Sequence, residues 1–360
     1  MLSNKKLFEE FDYVIDVRTP KEYSNSHIPN SVNLPVFTNQ EHENIGTIYK
    51  QESPLKATIM GASIACKNIS AILDSIPKNK ELQSILNHKN KLLIYCARGG
   101  KRSEAMKTIL GHIGFRVTKL ENGYKGYRNE VVNYFSTPLR HHFISLCGPT
   151  GCGKSEIIEI LKTSSIDLEK LAKHYGSSFG TMATQHMGNQ PSQKMFENTL
   201  YEELCNKEKE SILFIESESR KLGNLIIPST LFETYHKGTN VLIQAPMEQR
   251  IKRIVNLYQD ISETEFFSAM KKIKPYIPKS IFISLEKLWE NQEFEEIARI
   301  LIEKYYDKVY KIAKHSHRIL NTNLAETVKE LLEIKNLIKA EVPYNGNVQV
   351  KSHFANCSKN

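Results

Sequence analysis

The chain has little cysteine, and none of it is paired by spacing. Six Cys fall at 66, 96, 147, 152, 205 and 357 without a C-x-x-C pair, which argues against a zinc site and against a disulfide framework. No uninterrupted apolar run approaches the roughly 18–20 residues that span a bilayer. The start, Met1-Leu2-Ser3-Asn4-Lys5-Lys6, lacks a signal-peptide core. Internal repeats and low-complexity tracts are also missing. These absences lead us to expect a cytoplasmic protein, held in a reducing compartment and without a membrane partner. At 360 residues, 40% hydrophobic and 25% charged, the chain is long enough for two domains that each bury a core. Its net charge of +9 permits a polyanionic partner and long-range steering toward one, without identifying it.

What is there begins with Leu92-Leu93-Ile94-Tyr95, a short buried strand by pattern, running directly into Cys96-Ala97-Arg98-Gly99-Gly100-Lys101-Arg102 and then a helical pattern from Ser103 to Leu110. A cysteine at a strand end, a Gly-Gly curl and a helix start form an anion nest. The cations Arg98, Lys101 and Arg102 are expected to converge on the sulfur and favour thiolate, the nucleophilic form. Upstream, Val14-Ile15-Asp16-Val17-Arg18-Thr19-Pro20-Lys21-Glu22-Tyr23 precedes Ser26-His27-Ile28-Pro29-Asn30-Ser31-Val32-Asn33-Leu34-Pro35. Together these segments resemble rhodanese domains over roughly residues 1–135, with an insertion around 41–75. The resemblance makes Asp16, Arg18 and His27 mainly fold-holding residues. Five residues separate Cys96 from Arg102; the simplest rhodaneses have four. The wider loop has room for more than one sulfur atom and is shared by rhodanese-fold phosphatases.

A second motif follows the strand Ile144-Ser145-Leu146-Cys147. Gly148-Pro149-Thr150-Gly151-Cys152-Gly153-Lys154-Ser155 matches G-x-x-x-x-G-K-[ST] without interruption and opens a helix at Glu156, the context that marks a phosphate-binding P-loop. Glycines let backbone N–H groups face a phosphate, Lys154 adds charge, and the Ser155 hydroxyl suits Mg²⁺. Ser211 to Glu216 is expected to be a second strand ending in an acid. Glu216 is either a Mg²⁺ partner through water, a base, or a solvated strand-end acid. Arg220 is equally open between a phosphate and the surface.

The expected organisation is α/β: a rhodanese-like domain at 1–137, a P-loop NTPase-like domain at 138–250 with its third strand at 240–245, a helical C-terminal region at 251–340, and a loose tail at 341–360. The linker is placed at Ser136 to His142. Arg250, Lys252 and Arg253, or Lys271, Lys272 and Lys274, are either RNA contacts or, more commonly, solvated helix faces. Tyr305 and Tyr306 either stack on a base or pack between helices.

A rhodanese-like domain followed by a P-loop domain resembles the tRNA 2-selenouridine synthases. The segments Asp167 to Gly180, Gln190-Pro191-Ser192-Gln193 with Phe196-Glu197-Asn198, Glu216 to Gly223, and Tyr305-Tyr306-Asp307 carry the match, which spans nearly the whole chain up to about residue 340. The chain departs from the family at Ala97, where a bulky aromatic is usual, and at Tyr175, where Arg is usual. The resemblance implies a transferase acting on a wobble 2-thiouridine of tRNA. The sulfur is first alkylated with geranyl diphosphate, and selenium from selenophosphate then replaces the S-geranyl group. By the same resemblance, Cys96 attacks selenium and holds it as a selanyl group, with selenophosphate in the loop of Arg98, Gly99, Gly100, Lys101 and Arg102. The diphosphate sits on Gly148, Gly151, Gly153, Lys154 and Ser155. No tightly bound cofactor or resident metal is expected, Mg²⁺ aside, and a selenophosphate-producing enzyme is an expected partner. The alternative is a persulfide sulfurtransferase coupled to a nucleotide-binding P-loop domain.

Overall fold

The computed structural model describes residues 8, 10–175, 188–207, 212–258 and 261–341. The tail expected at 341–360, Cys357 within it, and the Gly176–Gly180 end of one family segment lie outside the described residues, except for the backbone of residue 341. The described residues divide into two compact units: those up to Tyr134 with Ser192–Asn206, and those from Phe135 to Pro191 with those from Lys207 onward.

The first unit holds a four-stranded parallel sheet, in the order Val32–Asn33, Tyr13–Asp16, Lys91–Tyr95, Arg116–Lys119. Its central strands read as continuous apolar runs because helices cover both faces; Leu92, Leu93, Ile94 and Tyr95 are all buried. The segment after the first strand is fixed by polar bonds. Arg18 donates to Asp16 Oδ1 at 3.0 Å, to Asp16 Oδ2 at 2.6 Å, and to the Ser26 carbonyl at 2.7 Å. Its guanidinium also lies 4.0 Å from the Tyr124 ring centre. Asp16 and Arg18 therefore hold the fold. So does His27, which is stacked on Tyr23 with ring centres 3.9 Å apart. Thr19 caps the helix Pro20–Asn25 in a reciprocal box with Glu22, the arrangement that satisfies two orphan N–H groups at a helix start.

The insertion is a pair of helices, Asn39–Gln51 and Pro54–Ser75. The second buries Ala57, Gly61, Ala65 and Ile69. Helix and following turn together, Pro54–Lys78, are long and apolar enough by composition to cross a membrane. This corrects the expectation of no such segment: isolated Lys, Asn and Ser residues break the apolar run in the sequence without making the helix polar. The helix Gln193–Asn206, expected within the P-loop domain, packs in the first unit. There Asn198 Nδ2 donates to the His27 carbonyl at 2.8 Å and to Tyr124 Oη at 2.9 Å, and Arg128 pairs with Glu197.

The second unit holds a five-stranded parallel sheet, in the order His317–Leu320, Thr239–Gln244, His142–Cys147, Ile212–Glu216, Ser165–Ile166. Helices on the sheet bury Ile157, Ile158, Leu331 and Ile334 against it. The region 251–340 was expected to be wholly helical, but it supplies the edge strand His317–Leu320. That strand has four residues and only Ile319 is buried, so no apolar run announces it. The helices Glu263–Ile273, Lys279–Glu290 and Phe294–Leu301 form a separate apolar cluster around Phe266, Met270, Leu285 and Leu301. Tyr305 and Tyr306 are buried in that cluster, so they are helix contacts.

Candidate functional site

Both glycine loops sit where a central parallel strand ends at its carboxyl edge, the usual place for ligands in open α/β sheets. In the first unit, Lys91–Tyr95 delivers Cys96, and the helix Lys101–His112 starts after the Gly-Gly curl. Behind the loop, Gly123 has a left-handed φ of 51°, and a Cβ there would lie 2.2 Å from the Cys96 carbonyl oxygen. Only glycine lets the two backbones approach so closely. The Tyr124 N–H then donates to that carbonyl at 2.9 Å.

Cys96 is buried, with 3% of the residue exposed. The direct donors to its sulfur are the Gly100 N–H at 3.1 Å and the Ser103 hydroxyl at 3.1 Å. Burial alone would push the thiol up. The bonds from Ser103 and from backbone N–H groups, with the Arg102 charge, outweigh it and hold the thiol below its ordinary value. The expected convergence of three cations on the sulfur is corrected. Arg98 is exposed, Lys101 reaches Thr58 at 3.5 Å, and Arg102 is committed to Glu22 through bonds of 2.6 and 3.2 Å. Only Arg102 acts on the sulfur, through its field. Ser103 and Glu22 are therefore site residues that sequence reasoning missed. The signal for Ser103 was its place immediately after Arg102 at the helix start.

In the second unit, His142–Cys147 delivers the P-loop and the helix Lys154–Ile160 follows it. A Cβ on Gly148 would lie 2.2 Å from the Ile243 carbonyl oxygen. Lys154 Nζ donates to the Gly148 carbonyl at 2.9 Å. Burial opposes its charge, but Cys152, Glu218 and Glu169 more than compensate and keep it protonated. The structure brings Ser155 and Glu216 together: the Ser155 hydroxyl lies 3.0 Å from Glu216 Oε1 and 2.9 Å from Glu169 Oε2. The one Ser155 hydroxyl is shared between the two carboxyl groups as acceptors. Burial, then Glu169 and Asp167, raise Glu216 well above the carboxylate range. The Glu216 Oε2 is buried with no hydrogen-bond partner among the described residues, so the solvated strand-end reading fails. Burial also pushes Glu218 up to about 7 and Asp167 to about 6, with Glu169 adding to both. Arg220 instead donates to Ser229 at 2.7 Å on the surface.

Two of the basic residues weighed as RNA contacts brace this loop. Arg250 is 6% exposed. It forks onto Asp307 at 2.6 and 2.9 Å and donates to the Thr150 carbonyl at 2.9 Å. Arg253 pairs with Glu156 at 2.9 Å. A cavity of about 770 Å³ opens over the loop, lined among others by Lys154, Ser155, Glu218, Tyr175 and Tyr310.

Residues 3–130 match the rhodanese-like domain family, and residues 141–278 match the tRNA 2-selenouridine synthase AAA domain. A protein of Nitrosomonas eutropha named tRNA 2-selenouridine synthase is 31% identical over 315 residues, covering 86% of this chain and 77% of its own. The chain belongs to the tRNA 2-selenouridine synthase family. One relative of the same name, from Hydrogenovibrio crunogenus, is 29% identical and covers 89% of this chain and 94% of its own. Another, from Shewanella oneidensis, is 26% identical and covers 89% and 91%. This family member is thus an enzyme of the transferase type, and the family segments have structural places in it. Asp307 anchors Arg250 behind the P-loop. Gln190 bridges the carbonyls of Ala172 and Leu222.

Proposed function

We propose that the chain converts a wobble 2-thiouridine of tRNA to 2-selenouridine by two substitutions at one thiocarbonyl group. In the first, the nucleobase sulfur attacks C1 of geranyl diphosphate. The C–O bond to diphosphate breaks, and the N3 proton of the base is lost to solvent. Lys154 and the loop N–H groups take up charge on the departing diphosphate, donors aimed where charge develops. Four carboxyl groups near the loop, Asp167, Glu169, Glu216 and Glu218, would repel a bare anion. The orphaned oxygen of Glu216 beside the Ser155 hydroxyl fits a hard cation that takes oxygen ligands. Ser155 would hold Mg²⁺ with Glu216 behind it, and the ion when bound supplies charge neutralisation for the diphosphate.

In the second substitution, selenophosphate docks at Arg98, Gly99, Gly100, Lys101 and Arg102. Electron balance decides which atom Cys96 meets. Selenium in selenophosphate is already at the selenide level, so a selanyl group on sulfur would require phosphorus to leave as phosphite. Attack of the Cys96 thiolate on phosphorus balances instead. The P–Se bond breaks, selenide departs with the bonding pair and attacks C2, and geranylthiol leaves. Water then hydrolyses the thiophosphate on Cys96 to phosphate. The wide Cys96–Arg102 loop suits a tetrahedral anion better than a single sulfur atom. A selenophosphate-forming enzyme supplies the donor, and a free thiolate works in a reducing compartment such as the cytoplasm.

One observation carries this reading: the same chain holds a cysteine loop whose sulfur accepts from an N–H and a hydroxyl and a complete phosphate loop, each at a strand's carboxyl end. The test is mass spectrometry of nucleosides from thiolated tRNA incubated with the purified chain. The expected result is S-geranylated nucleoside with geranyl diphosphate and selenated nucleoside once selenophosphate is added. No mass change with both donors refutes it. Cys96→Ser is expected to stop selenation and spare geranylation, and Lys154→Ala to weaken the prenyl step.

A further inference from the structure

Beside the phosphate loop lies a second cavity, of about 270 Å³, whose lining is almost wholly apolar: Ile254, Phe266, Trp289, Phe294, Ala298 and Leu301 are among its walls. It is built from the helices Met247–Leu257, Glu263–Ile273, Lys279–Glu290 and Phe294–Leu301, outside both glycine loops. Protein interiors are close-packed and keep few voids larger than a water molecule. An apolar space this large, walled by stacked aromatics, is the form of a ligand pocket. Trp289 lies parallel to Phe266 with ring centres 4.3 Å apart, and Phe294 meets its edge at 5.3 Å.

Four residues, Thr150, Ile254, Tyr258 and Tyr306, line both this cavity and the one over the P-loop. Thr150 belongs to the phosphate loop itself, so the apolar space opens where a bound phosphate would end. Only a ligand with an anionic head and a hydrocarbon tail uses both spaces at once. At roughly 30 Å³ for each water-sized group, about 270 Å³ accommodates a tail near ten carbons.

We propose that this pocket binds the hydrocarbon tail of a prenyl diphosphate whose head sits on Lys154 and the P-loop. The assignment rests on the geranyl diphosphate reading above and adds where the tail goes. The pocket holds the tail in place while its C1 stays at the mouth, between Thr150 and Tyr306, open to an incoming sulfur. It also explains the helices after Met247, which a P-loop that takes only a nucleotide does not require.

Trp289 is the sole tryptophan of the chain and stands in the pocket wall, so its fluorescence reports tail binding in the unmodified protein. Geranyl diphosphate is expected to shift and saturate the Trp289 emission, and inorganic diphosphate at saturation to leave it unchanged. By calorimetry geranyl diphosphate is expected to bind at least about 100-fold more tightly than inorganic diphosphate, since each buried methylene adds a several-fold gain. Ala298→Phe, which fills the space, is expected to bring that ratio below about 10-fold with diphosphate affinity unchanged. The pocket assignment is overturned if bound geranyl diphosphate, displaceable by diphosphate, leaves Trp289 silent, or if it does not bind at all. Tail binding without alkylation of thiolated tRNA would leave the pocket standing and refute the alkylation reading. Alkylation with Trp289 silent would do the reverse. Should Ala298→Phe fail to fold, the wild-type fluorescence still decides.

Discussion

Removing the Ser103 hydroxyl should raise the Cys96 thiol by one to two units. The hydroxyl donates to the sulfur at 3.1 Å in a buried setting, and it is the foremost influence opposing the burial that pushes the thiol up. A hydrogen bond to a charged group contributes roughly 1.5–3 kcal/mol, and one pKa unit corresponds to about 1.4 kcal/mol. Ser103→Ala should therefore cut the thiolate fraction about 10- to 100-fold at a pH well below the wild-type midpoint, the ratio narrowing above it. The assay is the pH dependence of iodoacetamide modification at the Cys96 peptide, read by mass spectrometry. Reading by peptide matters because Cys66 is exposed and would react as well. Ser103→Thr, which keeps a hydroxyl, should restore most of the reactivity. Arg102→Gln should move the midpoint less than Ser103→Ala, because the guanidinium is held by Glu22 and reaches the sulfur only through its field. Coincident midpoints for wild type and Ser103→Ala would refute the assignment of Ser103 as the principal donor. So would a larger effect from Arg102.

Three further outcomes follow from the same contacts. Burial alone would raise the Glu22 carboxyl, but its bonds to Arg102 bring it from 4.5 down to about 2. Its stability contribution is full above pH 4.5 and lost as pH falls toward 2, amounting to at most about 3 kcal/mol; Glu22→Gln should flatten urea-measured stability over that window, and an unchanged slope would contradict the pairing. Glu218 and Asp167 have the opposite sign. Their folded values of about 7 and about 6 lie above 4.5 and 3.8, so the ligand-free chain should lose stability as pH rises from about 4 to 7; a melting temperature rising across that interval in Glu218→Gln relative to wild type supports this, and parallel curves refute it. Arg250→Ala should cost about 2–3 kcal/mol in urea unfolding, at or below the low end for a broken buried pair, because Asp307 is 35% exposed. A loss under about 1 kcal/mol would mean the fork does not brace the loop.

Both glycine loops could be read from the sequence because each is local. A buried strand, a short glycine turn and a helix start lie within about fifteen consecutive residues, and the chemistry sits in the turn. What the residues meet was not legible. Arg102 looked like a cation for the sulfur because nothing in its neighbourhood revealed Glu22, eighty residues earlier, as its partner. Ser103 escaped notice because a serine at a helix start is ordinarily a cap, and here its hydroxyl faces Cys96 instead. The strand His317–Leu320 was hidden by its place at the sheet edge, where one buried residue suffices. The helix Gln193–Asn206 was assigned by chain order, yet its partners are Tyr124, Arg128 and His27, far away in sequence. The apolar pocket follows from how four helices cross, and their spaced apolar residues look the same whether they close a core or leave room within it.

The two anion loops differ in what surrounds them, and the difference separates their chemistry. The Cys96 sulfur meets an N–H, a hydroxyl and the field of an arginine, with Glu22 neutralised by its own partner. That loop can take an anion unaided. The P-loop cavity sets Lys154 amid Asp167, Glu169, Glu216 and Glu218, and burial, with Glu169 adding to each, drives Asp167, Glu216 and Glu218 toward neutrality. On the reading proposed above, a diphosphate brings more negative charge to a site that already sheds it by protonation, which favours its arrival with a cation. Chelation should therefore divide the two steps. With an anticodon stem-loop substrate kept folded in monovalent salt, EDTA should abolish geranylation, while a pre-geranylated substrate should still be selenated at close to the full rate. Equal inhibition of both steps, or of neither, would show that the carboxylates around Lys154 do not set a requirement for metal.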